Sequence, residues 1–137
     1  MNKRPLVLAT RKSIFIVDDD SSMRTSMSRL LREHGFSATP LESAHALLNH
    51  ADLNTAVCII LDVNLPGQSG IELRQQLAKR GVMVPVIYVT GNDSQANRSG
   101  ALESGCEAYL TKPFAAKSFM ESVERACGRP AKHAETK

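Results

Sequence analysis

Four stretches of this 137-residue chain end in groups that can do chemistry together. Asp18, Asp19 and Asp20 follow the apolar run Ile14-Phe15-Ile16-Val17. Asp62 follows Val57-Cys58-Ile59-Ile60-Leu61, Thr90 follows Val84 through Val89, and Lys112 follows Ala108-Tyr109-Leu110 after one residue. Carboxylates brought together repel one another and stay ionised only when a cation sits among them. Oxygen ligands suit a hard divalent ion, and no His or Cys stands close by to favour a softer one. Magnesium keeps several waters and takes one or two carboxylates plus phosphate oxygens, so such a site suits a phosphoryl group. Thr90 can donate a hydrogen bond to a phosphoryl oxygen, and Lys112 can offset its charge as a point cation. An aspartate placed in line can act as nucleophile and carry the group itself.

These residues meet only if the apolar runs lie side by side. Five runs read as strands: Ile14–Val17, a weak Phe36–Thr39, Val57–Leu61, Val84–Val89 and Ala108–Leu110. The first, third and fourth are almost continuous in aliphatic residues, the pattern of strands covered on both faces of a parallel sheet. Met23, Met27, Leu30 and Leu31 share one face of a helix that starts at Asp20, Ser21 or Ser22 and stops at Gly35. Further helices are expected on Ala44, Leu47, Leu48 and Ala51, and on Ile71, Arg74, Leu77 and Ala78 up to Gly81. A last helix carries Phe119, Val123, Ala126 and Cys127, ended by Gly128-Arg129-Pro130. Asp93 to Ser104, interrupted by Gly100, gives only a marginal helix. Strand alternating with helix five times predicts a doubly wound α/β domain with right-handed crossovers. In such a sheet, ligands collect outside the carboxyl ends of the strands.

The composition agrees with one soluble domain: 42% hydrophobic and 23% charged residues. No run approaches the roughly 18 apolar residues of a membrane span. Leu6-Val7-Leu8-Ala9 is too short for a signal peptide. Cys58, Cys106 and Cys127 show neither pairing nor metal spacing and suit a reducing cytoplasm. The net charge of +3 is unevenly placed. Residues 1–12 hold Lys3, Arg4, Arg11 and Lys12 with no acid, whereas 13–127 hold 10 Lys and Arg against 13 Asp and Glu. The basic ends read as a basic N-terminal extension (1–12) and a polar C-terminal tail (128–137). Six scattered aromatics form no stacking platform, so no direct nucleic-acid binding is expected.

The motifs Ile16-Val17-Asp18-Asp19-Asp20, Leu61-Asp62 through Gly70, Pro85 through Gly91 and Ala108-Tyr109-Leu110-Thr111-Lys112-Pro113-Phe114 resemble the receiver domain of two-component response regulators. The resemblance covers about 13–127, and Val86–Gly91 looks most like receivers of the nitrogen-fixation regulator type. It implies a flavodoxin-like five-stranded sheet, order 2-1-3-4-5, with five helices. It implies that Asp62 is the phosphoacceptor and that Mg2+ is held by Asp18, Asp19, Asp62 and Asn64. Asp19 would be a direct ligand, Asp18 would act partly through water, and Asn64 would contribute its backbone carbonyl. Thr90 and Lys112 would hold phosphoryl oxygens, Tyr109 would turn inward as Thr90 moves, and Lys112-Pro113 would be a cis peptide. Asn92 would tune water access to the phosphoryl group. A sensor histidine kinase or phosphotransfer protein would donate the group in the cytoplasm, and a homodimer contact or effector would use the fourth helix, fifth strand and fifth helix. Such a domain is not an enzyme on free metabolites; it catalyses only its own phosphorylation and slow dephosphorylation. It would be a single-domain regulator or one excised from a protein with a DNA-binding output domain.

Other readings remain at this point. Asp18-Asp19-Asp20 has the Asp-x-Asp spacing of haloacid-dehalogenase-type phosphatases, with Asp18 as nucleophile and Asp20 as acid/base. The chain could also use the receiver shape as an interaction module without phosphorylation. Residue by residue, Asp20 reads as a plain N-cap, Asn64 as a turn residue, Asn92 equally as a helix cap, and Tyr109 as a half-buried strand residue. Cys58 and Cys106 read as small core residues, and His34, His45, His50 and His133 as surface residues.

Overall fold

The computed structural model describes residues 12–50 and 53–128. The basic extension, apart from Lys12, and the tail beyond Gly128 lie outside the described residues. Five parallel strands form one sheet: β1 (Ser13–Val17), β2 (Ser37–Leu41), β3 (Cys58–Asp62), β4 (Val86–Thr90) and β5 (Ala108–Thr111), in the order β2-β1-β3-β4-β5. Five helices connect them: α1 (Ser21–Glu33), α2 (Ala44–Leu48), α3 (Gly70–Lys79), α4 (Gln95–Glu103) and α5 (Ala116–Ala126). A two-residue hairpin, Asn64–Leu65 against Gln68–Ser69, joins β3 to α3. This is the doubly wound fold expected from the alternation of strands and helices.

Side chains of a strand alternate between faces, and here both faces are apolar. Phe15, Val17, Ile59, Leu61 and Tyr88 pack under α2, α3 and α4 with Leu47, Leu73, Leu77 and Ala101. Ile14, Ile16, Cys58, Ile60, Ile87 and Val89 pack under α1 and α5 with Met27, Leu31, Phe119 and Val123. Each fully buried Val, Leu, Ile, Phe or Met among them stabilises the fold by about 1.5–3 kcal/mol relative to exposure. The three central strands thus have a fixed register, which fixes what stands at their ends.

The helix starts follow local chemistry. Asp20 Oδ1 accepts from the Ser22 and Met23 amides at 2.9 and 3.5 Å, and caps α1 as expected. Ser69 and Glu72 form a capping box on α3. Gly35 has φ +89° and lets the chain turn from α1 into the buried Phe36.

Several expectations are corrected. β2 runs to Leu41 through Pro40, because it is an edge strand that tolerates a missing amide. β4 begins at Val86, after Pro85. α2 stops at Leu48, and Ala51 lies outside the described residues. On α3 the buried residues are Gly70, Leu73 and Leu77, whereas Ala78 is exposed. The marginal segment is a nine-residue helix, and its cap is Ser94, not Asn92. His50 is half-buried, its ring 4.7 Å from that of Phe15; His133 lies outside the described residues.

Candidate functional site

All four central and outer strand ends that the sequence singled out open on one rim. Asp18 follows β1 directly, Asp62 and Thr90 are the last residues of β3 and β4, and Lys112 follows β5. The Lys112 amide donates to the Thr90 carbonyl at 2.8 Å and the Val63 amide to the Val89 carbonyl at 2.9 Å, so the strand ends are tied together past the sheet. Lys112-Pro113 is cis, as the resemblance implied.

The Lys112 ammonium lies between two carboxylates. Its Nζ donates to Asp18 Oδ2 at 2.8 Å and to Asp62 Oδ2 at 3.1 Å. Asp18 is wholly buried and Asp62 is 5% exposed. Each second oxygen is also occupied: the Asp20 amide donates to Asp18 Oδ1 and the Asn64 amide to Asp62 Oδ1, both at 2.9 Å. Burial still raises the Asp62 carboxyl, and the Asp18 charge adds to this; the Asn64 amide and Lys112 oppose it without prevailing. Burial alone would lower the Lys112 ammonium. The hydrogen bond to Asp18 and the charges of Asp62 and Asp18 outweigh it, and the net shift is upward. The pocket therefore holds more negative charge than one lysine neutralises.

That imbalance is the test for a metal. Asp18, Asp19 and Asp62 each offer a carboxylate oxygen, and the three lie within 4.8 Å of one another, with Asp19 exposed to solvent. A hard, oxygen-only set with one open, wet side fits Mg2+. Asp20 does not join it. Its carboxylate accepts from the Ser22 hydroxyl at 2.8 Å as well as from the α1 amides, and these bonds hold its pKa below the ordinary carboxylate value.

Thr90 is fully buried; its hydroxyl donates to Asn64 Oδ1 at 2.9 Å and lies 3.3 Å from the Asn92 carbonyl. Tyr109 is half-buried, and its hydroxyl donates to Asp93 Oδ1 at 3.1 Å while the Arg98 guanidinium sits 5.1 Å from its ring centre. Burial, then the Asp93 bond and charge, push its phenol upward. Asn92 accepts from the Asn97 side chain at 2.7 Å through its carbonyl.

Two residues carry roles that the spacing alone did not reveal. Gly70 opens α3 against the backbone of Asp62: a Cβ there would overlap the Asp62 carbonyl oxygen and come within 3.1 Å of its carbon. The second signal was available as an unexplained Gly after the turn Leu65-Pro66-Gly67. Arg24 Nη1 donates to the Asp18 carbonyl at 2.7 Å and so steadies the acidic pair from α1.

An open parallel sheet with paired acids, a hydroxyl and an ammonium on its carboxyl rim defines the class of the protein: a flavodoxin-like α/β domain with one acidic functional edge. The family model of the response regulator receiver domain matches residues 14–124. Nodulation protein W of Bradyrhizobium diazoefficiens is 32% identical over 127 residues, which are 93% of this chain and 56% of that protein. Sensory transduction protein RegX3 of Mycobacterium tuberculosis is 38% identical over 111 residues, 81% of this chain and 48% of that protein. A response regulator receiver protein from Burkholderia phymatum superposes with a TM-score of 0.76 at 37% identity, covering 89% of this chain and 99% of that one. FixJ-N superposes with a TM-score of 0.79 at 29% identity over 89% of this chain and 98% of that one.

The chain belongs to the response regulator receiver family of two-component systems. It spans about half the length of the curated relatives it matches. Receivers of this family bind Mg2+ at an acidic pocket and interact with histidine kinases or phosphotransfer proteins. Among the described residues no helix is long and apolar enough to cross a membrane.

Proposed function

We propose that residues 13–127 act as a phosphoacceptor domain in which Asp62 takes a phosphoryl group from a phosphohistidine. The observation that carries this reading is Lys112, held at 2.8 and 3.1 Å by two buried carboxylates of different strands. Two buried carboxylates beside one ammonium leave net negative charge out of water, which costs stability unless a further cation joins them.

An Asp62 carboxylate oxygen attacks phosphorus, the P–N bond to the donor imidazole breaks, and the imidazole nitrogen keeps the electron pair and is protonated. The product is a mixed carboxylic–phosphoric anhydride on Asp62. Lys112 stays on the rim as the cation for the new phosphoryl oxygens, and the Thr90 hydroxyl is a donor one strand away. Asp18, Asp19, Asp62 and the Asn64 carbonyl are the groups that would hold Mg2+, which supplies charge neutralisation to the phosphoryl oxygens. Hydrolysis of the anhydride returns the carboxylate. No free metabolite is turned over.

Thr90 leaving Asn64 for the phosphoryl group changes the end of β4, beside β5 and Tyr109. The face of α4, β5 and α5 is where that change is read, by an effector or a second copy of this chain. The dehalogenase-type alternative fits less well: it leaves Asp62 without work, and the carboxylate it needs as acid/base, Asp20, is spent on capping α1.

Radiolabelled small phosphodonor with Mg2+ should label the wild-type chain, and Asp62→Asn should take no label. Equal labelling of Asp62→Asn would sink the assignment. Steady turnover of p-nitrophenyl phosphate that survives Asp62→Asn and is lost in Asp18→Asn would replace it with the phosphatase.

A further inference from the structure

We infer that the cleft between α1 and the edge strand β2 is a second anion site, separate from the Asp62 pocket, and that it takes a linear condensed phosphate. Ser21, Arg24, Thr25, Ser28 and Arg32 recur at three- and four-residue steps, so they line one side of α1. With Pro40 of β2 they enclose a cleft of 190 Å3.

Both arginines are held there by neutral acceptors. Arg24 Nη1 donates to the Asp18 carbonyl at 2.7 Å and Arg32 Nη2 to the Ala38 carbonyl at 3.3 Å. A guanidinium has five N–H donors, so most of each fork remains available. The ion pairs among the described residues are Arg98–Asp93, Lys112–Asp18 and Lys112–Asp62, and neither cleft arginine joins a carboxylate. Between them lies Ser28, 2% exposed, whose hydroxyl has no hydrogen-bond partner. A buried helical serine normally bonds back to the preceding turn, as Ser122 does to the Ser118 carbonyl at 3.0 Å. A merely solvated arginine face would not explain a buried unpaired hydroxyl beside it.

The donor set selects the ligand. Arg24, Arg32, Ser21, Thr25 and Ser28 line the cleft, with no carboxylate among the lining residues. Phosphate groups, each with several acceptor oxygens, satisfy such a set better than a carboxylate. The Asp18 amide donates to the Leu41 carbonyl, so the two pinned arginines span the β2 stretch from Ala38 to Leu41, roughly 10 Å of strand. One orthophosphate reaches one end; a chain of three phosphates reaches both. Pro40 is the lone apolar liner, so a nucleobase finds nothing to stack on. The cleft is also smaller than the roughly 300–1,000 Å3 of sites for larger organic ligands.

Calorimetric titration of the full chain with sodium tripolyphosphate, in magnesium-free buffer at fixed ionic strength, tests this. One saturable site is expected, with orthophosphate at least about tenfold weaker. Arg32→Gln, at an exposed position clear of the Asp62 pocket, should weaken tripolyphosphate about tenfold or more, and Ser28→Ala a few-fold. Asp62→Asn should bind as wild type does. Absence of saturable binding, unchanged binding in Arg32→Gln, or loss of binding in Asp62→Asn each overturns the proposal. So does a hexaglutamate peptide that binds as tightly as tripolyphosphate.

Discussion

The Thr90 hydroxyl donates its single proton to Asn64 Oδ1 at 2.9 Å, across the mouth of the pocket from β4 to the turn after β3. A hydroxyl has one proton to give, so Thr90 cannot serve Asn64 and a phosphoryl oxygen at once. Asn64 therefore has two separable parts: a backbone placed beside Asp62, and a side chain that holds Thr90 in its resting position. Asn64→Ala removes only the second. One neutral hydrogen bond contributes about 0.5–1.5 kcal/mol net, and only the longer contact to the Asn92 carbonyl at 3.3 Å would then hold the Thr90 hydroxyl, so Asn64→Ala should raise the affinity for beryllofluoride, a phosphoryl mimic, roughly two- to tenfold. Fluorescence or NMR titration with beryllofluoride and Mg2+ measures it. An unchanged or weaker affinity in Asn64→Ala would show that the bond does not restrain the switch.

Gly70 makes a steric prediction. Its Cα faces the Asp62 backbone so closely that any Cβ overlaps the carbonyl. Gly70→Ala should cost about 1–3 kcal/mol by overpacking and should also displace the phosphoacceptor. Gly67→Ala is the matched control. Gly67 has φ +86° and open space around it, so its cost is backbone strain of about 1–2 kcal/mol with Asp62 undisturbed. Urea unfolding should show both variants destabilised, whereas the phosphorylation rate should fall in Gly70→Ala alone. Equal phosphorylation of the two variants would mean that the contact does not position Asp62.

The sequence made the rim legible for a simple reason. β1, β3 and β4 are apolar on both faces, so their limits are sharp and the first polar residue after each must emerge at the carboxyl edge. Asp18, Asp62 and Thr90 were readable on that ground alone. What was not readable depends on side-chain contacts that no local pattern encodes, whether the partners are near or far in the chain. Nothing local in Thr90 points to Asn64, 26 residues earlier, nor in Arg24 to the Asp18 carbonyl. β2 was blurred because an edge strand needs only one good face, so its pattern is weak and Pro40 is tolerated. On α3, Ile71 and Arg74 sit half-buried beside the buried Leu73 and Leu77, so the stripe read on Ile71, Arg74, Leu77 and Ala78 included the exposed Ala78 and missed Leu73.

Asp20 separates the receiver and phosphatase readings of the acidic run. Its side chain caps α1 and is absent from the three-carboxylate cluster. Asp20→Ala should lower Tm by several degrees through loss of the cap and leave phosphate uptake on Asp62 within about threefold of wild type. Thermal melting and phosphodonor labelling, run on the same preparation, give both numbers. Abolished labelling in a fully folded Asp20→Ala would place Asp20 in the chemistry.

The buried Cys58 and Tyr88 and the half-buried Cys106 should make the fold lose stability at alkaline pH. Burial raises Cys58 well above its ordinary 9.0 and Cys106 above the same value; burial also raises Tyr88 above 10.0, with the Ser104 hydrogen bond opposing it. For each group the unfolded chain loses its proton first as pH rises, so the unfolded state gains stability above the ordinary value while the native state does not. The thiol contribution should be flat up to about pH 9 and turn destabilising beyond it, with Tyr88 adding to the slope above about pH 10. Cys58 lies at 0% exposure in the α1–α5 core and dominates the first part of the decline. Urea midpoints measured from pH 7 to 11 should fall earlier in the wild type than in Cys58→Val, which has no proton to lose there. Superimposable curves for the two proteins would show that Cys58 ionisation plays no part in alkaline unfolding.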